Sequence, residues 1–491
     1  MANVAAYPLA APADRVRVWV GVFGAANPPA LSIQLSGSNA QPDVLRPLTA
    51  VRAGPLLDPA DQLAGRAFTG VFEFTGLPAG SAHTINVSAG GQTVAVPVST
   101  LPAALPERSD QPLNVLLCSC YDQGEDRSGL VSTIVSQIKL DPALSLFLGD
   151  QVYLDIPTLE DFPGAPAKLA KKFEDKYTTN WTSDHLGTPG LSKVLSRAAA
   201  AFVPDDHEYW NNFPHPAAVI QNSWTKPGRD GWKAAGRAVY EGFQLAPGTT
   251  LGGSQVIDVA PLSFFLLDAR SERREDRSFA VTLETRARLR AWVDGLIAHK
   301  DGSGPCFGVL VSGQPLLADK AGPTQGRIFD FNMPDYDDFG AILGEIERLI
   351  ANGLPLLYIT GDVHYGRVSC AIDLASGRTA IYEVISSPSS LVTSVGVDQL
   401  KRLGSAFMGL FGRKNPWPRH SDPEPPPDRF GSTRSLQPQM LHAQKGDQLT
   451  MLSFWRAGAG VEFAVTYYPI HPDKAVQKSV RLEGFRLRAF F

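Results

Sequence analysis

A chain of 491 residues, 44% hydrophobic and 19% charged, is long enough for two to four domains and a large core. Its net charge of −4 gives no field to hold a polyanion, and no Lys/Arg stripe marks a nucleic-acid surface, so nucleic acid as a bulk partner is disfavoured. The first residues lack the basic start and apolar run of a signal peptide, and no apolar run elsewhere could span a bilayer. The expectation is a soluble protein, cytoplasmic unless the sequence is the mature form of a periplasmic or secreted one. Four Cys in so long a chain do not read as a disulfide framework.

Arg15 to Val22 alternates apolar and polar residues, as do Leu31 to Leu35, Val71 to Phe74, Thr84 to Val87 and Thr93 to Val98, with Pro and Gly between them. Short alternating strands at this spacing predict a β-sandwich domain over residues 1–105. Thr75-Gly76-Leu77-Pro78-Ala79-Gly80 ahead of Thr84-Ile85-Asn86-Val87 resembles the strand-turn-strand of fibronectin-like (Ig-like) modules. From Leu113 strands alternate with helices, which predicts a second, α/β domain over residues 106–491. Helical stripes run through Val131, Ile134, Val135 and Ile138, through Leu289, Val293 and Leu296, and through Ile342, Ile346 and Leu349. Ala380 to Ile385 leads into Ser386-Ser387-Pro388-Ser389-Ser390. A Pro-rich loop follows at about 391–448, long enough to be a lid or disordered. A hairpin over 450–470 turns at Ala457-Gly458-Ala459-Gly460.

Chemistry is concentrated where the buried strands stop. Leu144 to Leu148 runs into Gly149-Asp150-Gln151-Val152-Tyr153, and Ala201 to Pro204 into Asp205-Asp206-His207-Glu208. Leu262 to Leu267 runs into Asp268-Ala269-Arg270, and Leu356 to Thr360 into Gly361-Asp362-Val363-His364. Asp after a strand is common turn chemistry. Four strands aiming carboxylates, imidazoles and a guanidinium at one sheet edge point to metal ions and an anionic substrate, since such groups are rarely buried without partners.

With Ser119-Cys120, Asn211-Asn212 and Arg273, these motifs resemble, in order and spacing, the alkaline phosphatase D family of metallophosphoesterases. The resemblance implies a four-layer α/β/β/α sandwich behind the N-terminal β-sandwich, and hydrolysis of phosphate mono- or diesters by a metal-bound hydroxide. It places one ion among Cys120, Asp150, Tyr153 and His364, where thiolate, phenolate and imidazole favour Fe³⁺, with Zn²⁺ as the alternative. Asp150 would bridge to a second ion held by Asp206 and Asp362, hard oxygen ligands that suit Ca²⁺, Mn²⁺ or Mg²⁺. Ions about 3.5–4 Å apart acidify a bridging water and neutralise the ester. His207 would protonate the leaving group, and Arg270 and Arg273 would clamp the equatorial oxygens.

Several of these residues have ordinary readings too. Cys118 and Cys120 alternate as small buried residues of a strand do, Tyr153 has the place of a core aromatic, and Arg270 could pair with Asp268. Tyr121 follows Cys120 where the family usually has Gln, and Gln314 stands where ordinary metallophosphoesterases offer a His ligand. The competing functions are a non-catalytic binding protein on a degenerate scaffold, and a hydrolase of sulfate or phosphonate esters. Substrate, metal pair and oligomeric state stay open.

Overall fold

The computed structural model describes residues 3–490 apart from 59–64, 127, 157–161, 188, 218–219, 302, 305, 322–329, 391–421 and 471–477. The strands of its first part are β1 (Asn3–Leu9), β2 (Arg15–Ala25), β3 (Leu31–Leu35), β4 (Asp43–Ala50), β5 (Arg66–Thr75), β6 (Ala82–Ala89) and β7 (Gln92–Ser99). Next come β8 (Leu113–Cys118), β9 (Leu144–Leu148), β10 (Ala199–Val203), β11 (Ser254–Val259), β12 (Leu262–Leu267), β13 (Phe307–Val311) and β14 (Leu356–Thr360). The last are β15 (Gly366–Asp373), β16 (Arg378–Ile385), β17 (Leu436–Gln444), β18 (Gln448–Ala457), β19 (Gly460–Pro469) and β20 (Val480–Leu487). The helices are α1 (Leu130–Gln137), α2 (Pro166–Trp181), α3 (Leu191–Leu195), α4 (Lys226–Phe243), α5 (Leu283–Ala298) and α6 (Phe339–Ala351).

Two large sheets carry the molecule. One has the order β20-β19-β18-β8-β9-β10-β1-β2-β5-β4, the other β11-β12-β13-β14-β16-β15-β17. Strands β8, β9 and β10 of the first are mutually parallel, as are β12, β13, β14 and β16 of the second. Every residue of β8, β9 and β14 is buried, as their continuous Leu, Val and Ile runs require of strands covered on both faces. The sheets pack face to face: Phe264 of β12 meets Phe454 of β18 edge-on at 6.1 Å, and Tyr382 of β16 meets Phe463 of β19 at 5.4 Å. Each such buried aromatic contributes roughly 1.5–3 kcal/mol of transfer free energy. Helices cover the outer faces, with Leu289 and Val293 of α5 and Ile346 and Leu349 of α6 in the same core. Val131 of α1, Phe173 of α2 and Val239 of α4 lie against the ten-stranded sheet.

The opening strands do two jobs. The three-stranded sheet β3-β6-β7 lies over β2 and β5, where Val18, Val20, Phe68, Ile85 and Val87 form a separate core. Along β2 the alternate residues point the other way, and Trp19 packs tilted against Phe243 of α4, centroids 5.5 Å apart, while its Nε1 donates to the Gly242 carbonyl at 2.9 Å. β1 then joins β10 in parallel, Leu9 opposite Ala200. Strands β1, β2, β4 and β5 therefore share one continuous sheet with the chain that follows.

Within the expected Pro-rich loop, residues 391–421 lie outside the described residues, but Leu436–Gln444 is a strand paired antiparallel with β15. Pro438 disguised it. Proline cannot donate to a ladder and is tolerated on an edge strand, the place β17 holds.

Candidate metal centre

The carboxyl ends of the parallel strands of both sheets meet at one edge, and the loops there approach very closely. A Cβ on Gly149 would lie 2.6 Å from the Asp205 Cβ, and one on Gly361 would lie 2.6 Å from the Ser119 Cβ, so only glycine permits this approach. Backbone bonds lock the loops together: Cys120 N–H donates to the Gly149 carbonyl at 3.1 Å and Tyr121 N–H to the Asp150 carbonyl at 2.8 Å. Cys120, Asp150, Asn212, Asp362 and His364 all have φ between +51° and +68°. Left-handed backbone is unfavourable for such residues, and its concentration at one edge marks a site that the surrounding structure holds under strain.

Three groups of potential ligand atoms overlap there, each with its atoms within 4.8 Å of one another: Cys120, Asp150 and His364; Asp150, Asp206 and His207; Asp150, Asp205 and Asp362. Asp150 belongs to all three. Burial, reinforced by the neighbouring carboxylates, pushes the Asp150 and Asp362 carboxyls well above their usual range. Burial and the Asp150 charge do the same to the Cys120 thiol. A buried set of this kind calls for cationic charge.

Unpartnered polar atoms point to the same need. The Tyr153 hydroxyl, both amide atoms of Asn212 and Asp205 Oδ2 are buried and make no hydrogen bond. A donor set of thiol, phenol, carboxylates and imidazole with such orphaned atoms fits metal ions. The sequence reading gave Asn212 no role and Asp205 none as a ligand; their buried, unsatisfied oxygens are what single them out.

His207 stands beside this cluster. Its Nδ1 is 2.7 Å from Asp155 Oδ1, and its ring is tilted against Tyr153 with centroids 4.4 Å apart. Burial opposes the charged imidazole, but Asp155, Asp206 and Asp150 outweigh it and raise the His207 pKa well above its usual value. Asp155 escaped the sequence reading; its only signal was an Asp two residues after Tyr153. It also accepts the Asn211 N–H at 2.8 Å, which fixes its position.

Glu208 orders the two central loops. Its carboxylate accepts the backbone N–H of Asp150 at 2.9 Å, of Gln151 at 2.7 Å and of Asp205 at 2.9 Å, all away from solvent. Glu208→Gln replaces an acceptor oxygen by a donor facing these N–H groups. It is expected to cost about 1–3 kcal/mol of stability, read as a lower thermal midpoint.

Arg270 and Arg273 point inward. The Arg270 guanidinium is engaged by Asp205 (Nε at 2.6 Å), by Asp330 (Nη2 at 2.5 Å, Nη1 at 3.2 Å) and by the Phe213 carbonyl (2.9 Å). Asp268 instead accepts the backbone N–H groups of Arg270 and Ser271. Arg273 bonds the Ala269 and Phe331 carbonyls and Gln314 Oε1, and Gln314 in turn donates to Asp330 at 2.5 Å. Both arginines are essentially without solvent exposure. Asp330, the hub of this network, lies far from any strand-end motif, and the sequence reading did not find it.

Two large facing sheets, helices outside and a candidate metal cluster at the strand ends define a mixed α/β fold with its ligand edge at the carboxyl termini of parallel strands. A solved structure described as PhoD covers 98% of this chain and 88% of its own, with a TM-score of 0.57 and 14% sequence identity, so this chain has a PhoD-like fold. The likeness at that identity is one of fold alone. GAP50, the anchor in the inner membrane complex of Plasmodium, reaches a TM-score of only 0.35 at 9% identity, over 76% of this chain and 89% of its own. No family model and no curated protein matches the chain. Among the described residues no helix is long and apolar enough to cross a membrane.

Proposed function

We propose that this chain is a metal-dependent hydrolase of phosphate esters. The observation that carries the reading is the convergence on Asp150 of three ligand groups from four strand ends, most of their residues buried. Cys120, Asp150, Tyr153 and His364 would hold one ion, with Fe³⁺ first and Zn²⁺ second by donor type. Asp150, Asp206 and Asp362 would hold the other, Ca²⁺, Mn²⁺ or Mg²⁺, with Asp205 and Asn212 as further oxygen donors. Bound there, a pair of ions supplies an acidified water and positive charge for the ester oxygens.

The chain's own residues supply the rest. Asp155 fixes the His207 imidazole through Nδ1 and leaves Nε2 to give a proton to the departing oxygen. With the Arg270 donors committed to carboxylates and a carbonyl, we assign Arg270 to holding Asp205 in place, and Arg273 to holding Gln314, in preference to a clamp on substrate.

A panel of a generic phosphodiester, a phosphomonoester and a sulfate ester tests the reading, beside the visible spectrum of the protein. Turnover of a phosphate ester in preference to the sulfate is expected, with a charge-transfer band from phenolate or thiolate bound to Fe³⁺. Preference for the sulfate ester would move the activity to another class. Colourless protein that is free of iron and fully active with Zn²⁺ would remove the iron assignment.

A further inference from the structure

The serine-rich run after β16 lies along Ser119-Cys120. Ser389 N–H donates to the Ser119 carbonyl at 2.8 Å and Ser390 N–H to the Cys120 carbonyl at 3.1 Å, while Ser119 Oγ donates to the Ser386 carbonyl at 2.7 Å. From β18, Gln448 ties the run on its other side, through Nε2 to the Ser387 carbonyl and through its N–H to the Pro388 carbonyl, both at 2.8 Å. These bonds hold the segment against β8 and β18 at full burial.

Inside this clamp the Ser387 hydroxyl has two partners. It accepts the His364 N–H at 3.2 Å and donates its own proton to Cys120 Sγ at 3.1 Å. Ser119 Oγ also lies 3.6 Å from that sulfur, but its single proton is given to the Ser386 carbonyl. One buried hydroxyl thus connects the sulfur of Cys120 to the backbone of His364, and both residues have left-handed backbones, φ 51° and 60°.

We propose that Ser387 is a positioning residue for the thiolate side of the metal centre, aiming the Cys120 sulfur and pinning the strained His364 backbone. This rests on the metal reading above. A hydrogen bond to a ligand sulfur withdraws electron density from it, which moves sulfur-to-metal charge transfer to higher energy, and loss of such an outer partner typically weakens metal binding about 10–100-fold.

The test is titration of Co²⁺ into the metal-stripped full chain, following the thiolate-to-cobalt charge-transfer band for both affinity and energy. Ser387→Ala is expected to bind about 10–100-fold more weakly, with its band at longer wavelength. Ser387→Thr, which keeps the hydroxyl, is expected to restore both. Ser389→Ala, whose hydroxyl meets Cys118 Sγ at 3.1 Å, is expected to change neither. An unchanged band and affinity in Ser387→Ala overturn the proposal, as does an equal change in Ser389→Ala, which would assign the effect to the loop. A wild-type chain with no thiolate band, indistinguishable from Cys120→Ser, brings down the thiolate ligand itself and Ser387 with it.

Discussion

Asp150→Asn is expected to abolish turnover and to release metal while leaving the fold intact. Asp150 is the one residue shared by all three ligand groups, so the change removes a negative charge and a strong donor from every ion position at once. The fold is spared because backbone N–H groups of Asp150 and Gln151 anchor this loop to Glu208, and Asn keeps a side-chain oxygen for the His207 N–H that Asp150 Oδ1 accepts at 3.3 Å. Asn also tolerates left-handed backbone about as well as Asp. The loss of rate should exceed the roughly 10²–10³-fold that removal of a single electrostatic donor costs. Rate on a phosphodiester, elemental analysis and circular dichroism check this together, and retention of both metals with normal activity contradicts it.

His207→Ala separates acid catalysis from metal binding. If His207 protonates the departing oxygen, the variant should slow esters with alkyl leaving groups by about 10²–10⁴-fold, and p-nitrophenyl esters far less, because that leaving group needs little help. Metal content should not change. Asp155→Asn should reproduce part of the effect, since it loosens the 2.7 Å contact that orients the ring. Asp206→Ala should slow both substrate types and lose the second ion. Because His207 also lies within ligand distance of Asp150 and Asp206, equal loss on both substrates together with loss of metal would make it a ligand instead of the acid.

The strand ends were legible in the sequence because four buried apolar runs in one chain stop at Asp, His or Arg, although Asp after any one strand is ordinary turn chemistry, and the resulting loops bring Cys120, Asp150, Asp206, Asp362 and His364 within reach of one another. The direction of the two arginines was not legible. Their spacing after β12 is the same whether they face solvent or the interior, and the partner that decides it, Asp330, is remote in sequence. β1 is hard to read from sequence because its short Val-Ala-Ala run carries no polar alternation, its Val4, Ala5 and Ala6 being buried between two layers. The helices α2 and α4 were missed for a different reason. Their apolar positions, Leu169, Phe173 and Tyr177 in one and Ala235, Val239 and Phe243 in the other, do recur at helical spacing, but Lys-rich stretches and the Pro and Gly at the start of α4 dilute the stripe.

The central claim is that this sheet edge binds metal and that the metal drives ester hydrolysis. Elemental analysis of the purified full chain, paired with its rate on a phosphodiester before chelation, after chelation and after restoring each metal, tests it most directly. The account predicts close to two ions for each chain, loss of turnover on chelation and recovery on restoration, with Asp150→Asn failing to recover. A chain that carries no metal and hydrolyses the ester equally well in chelator would contradict it.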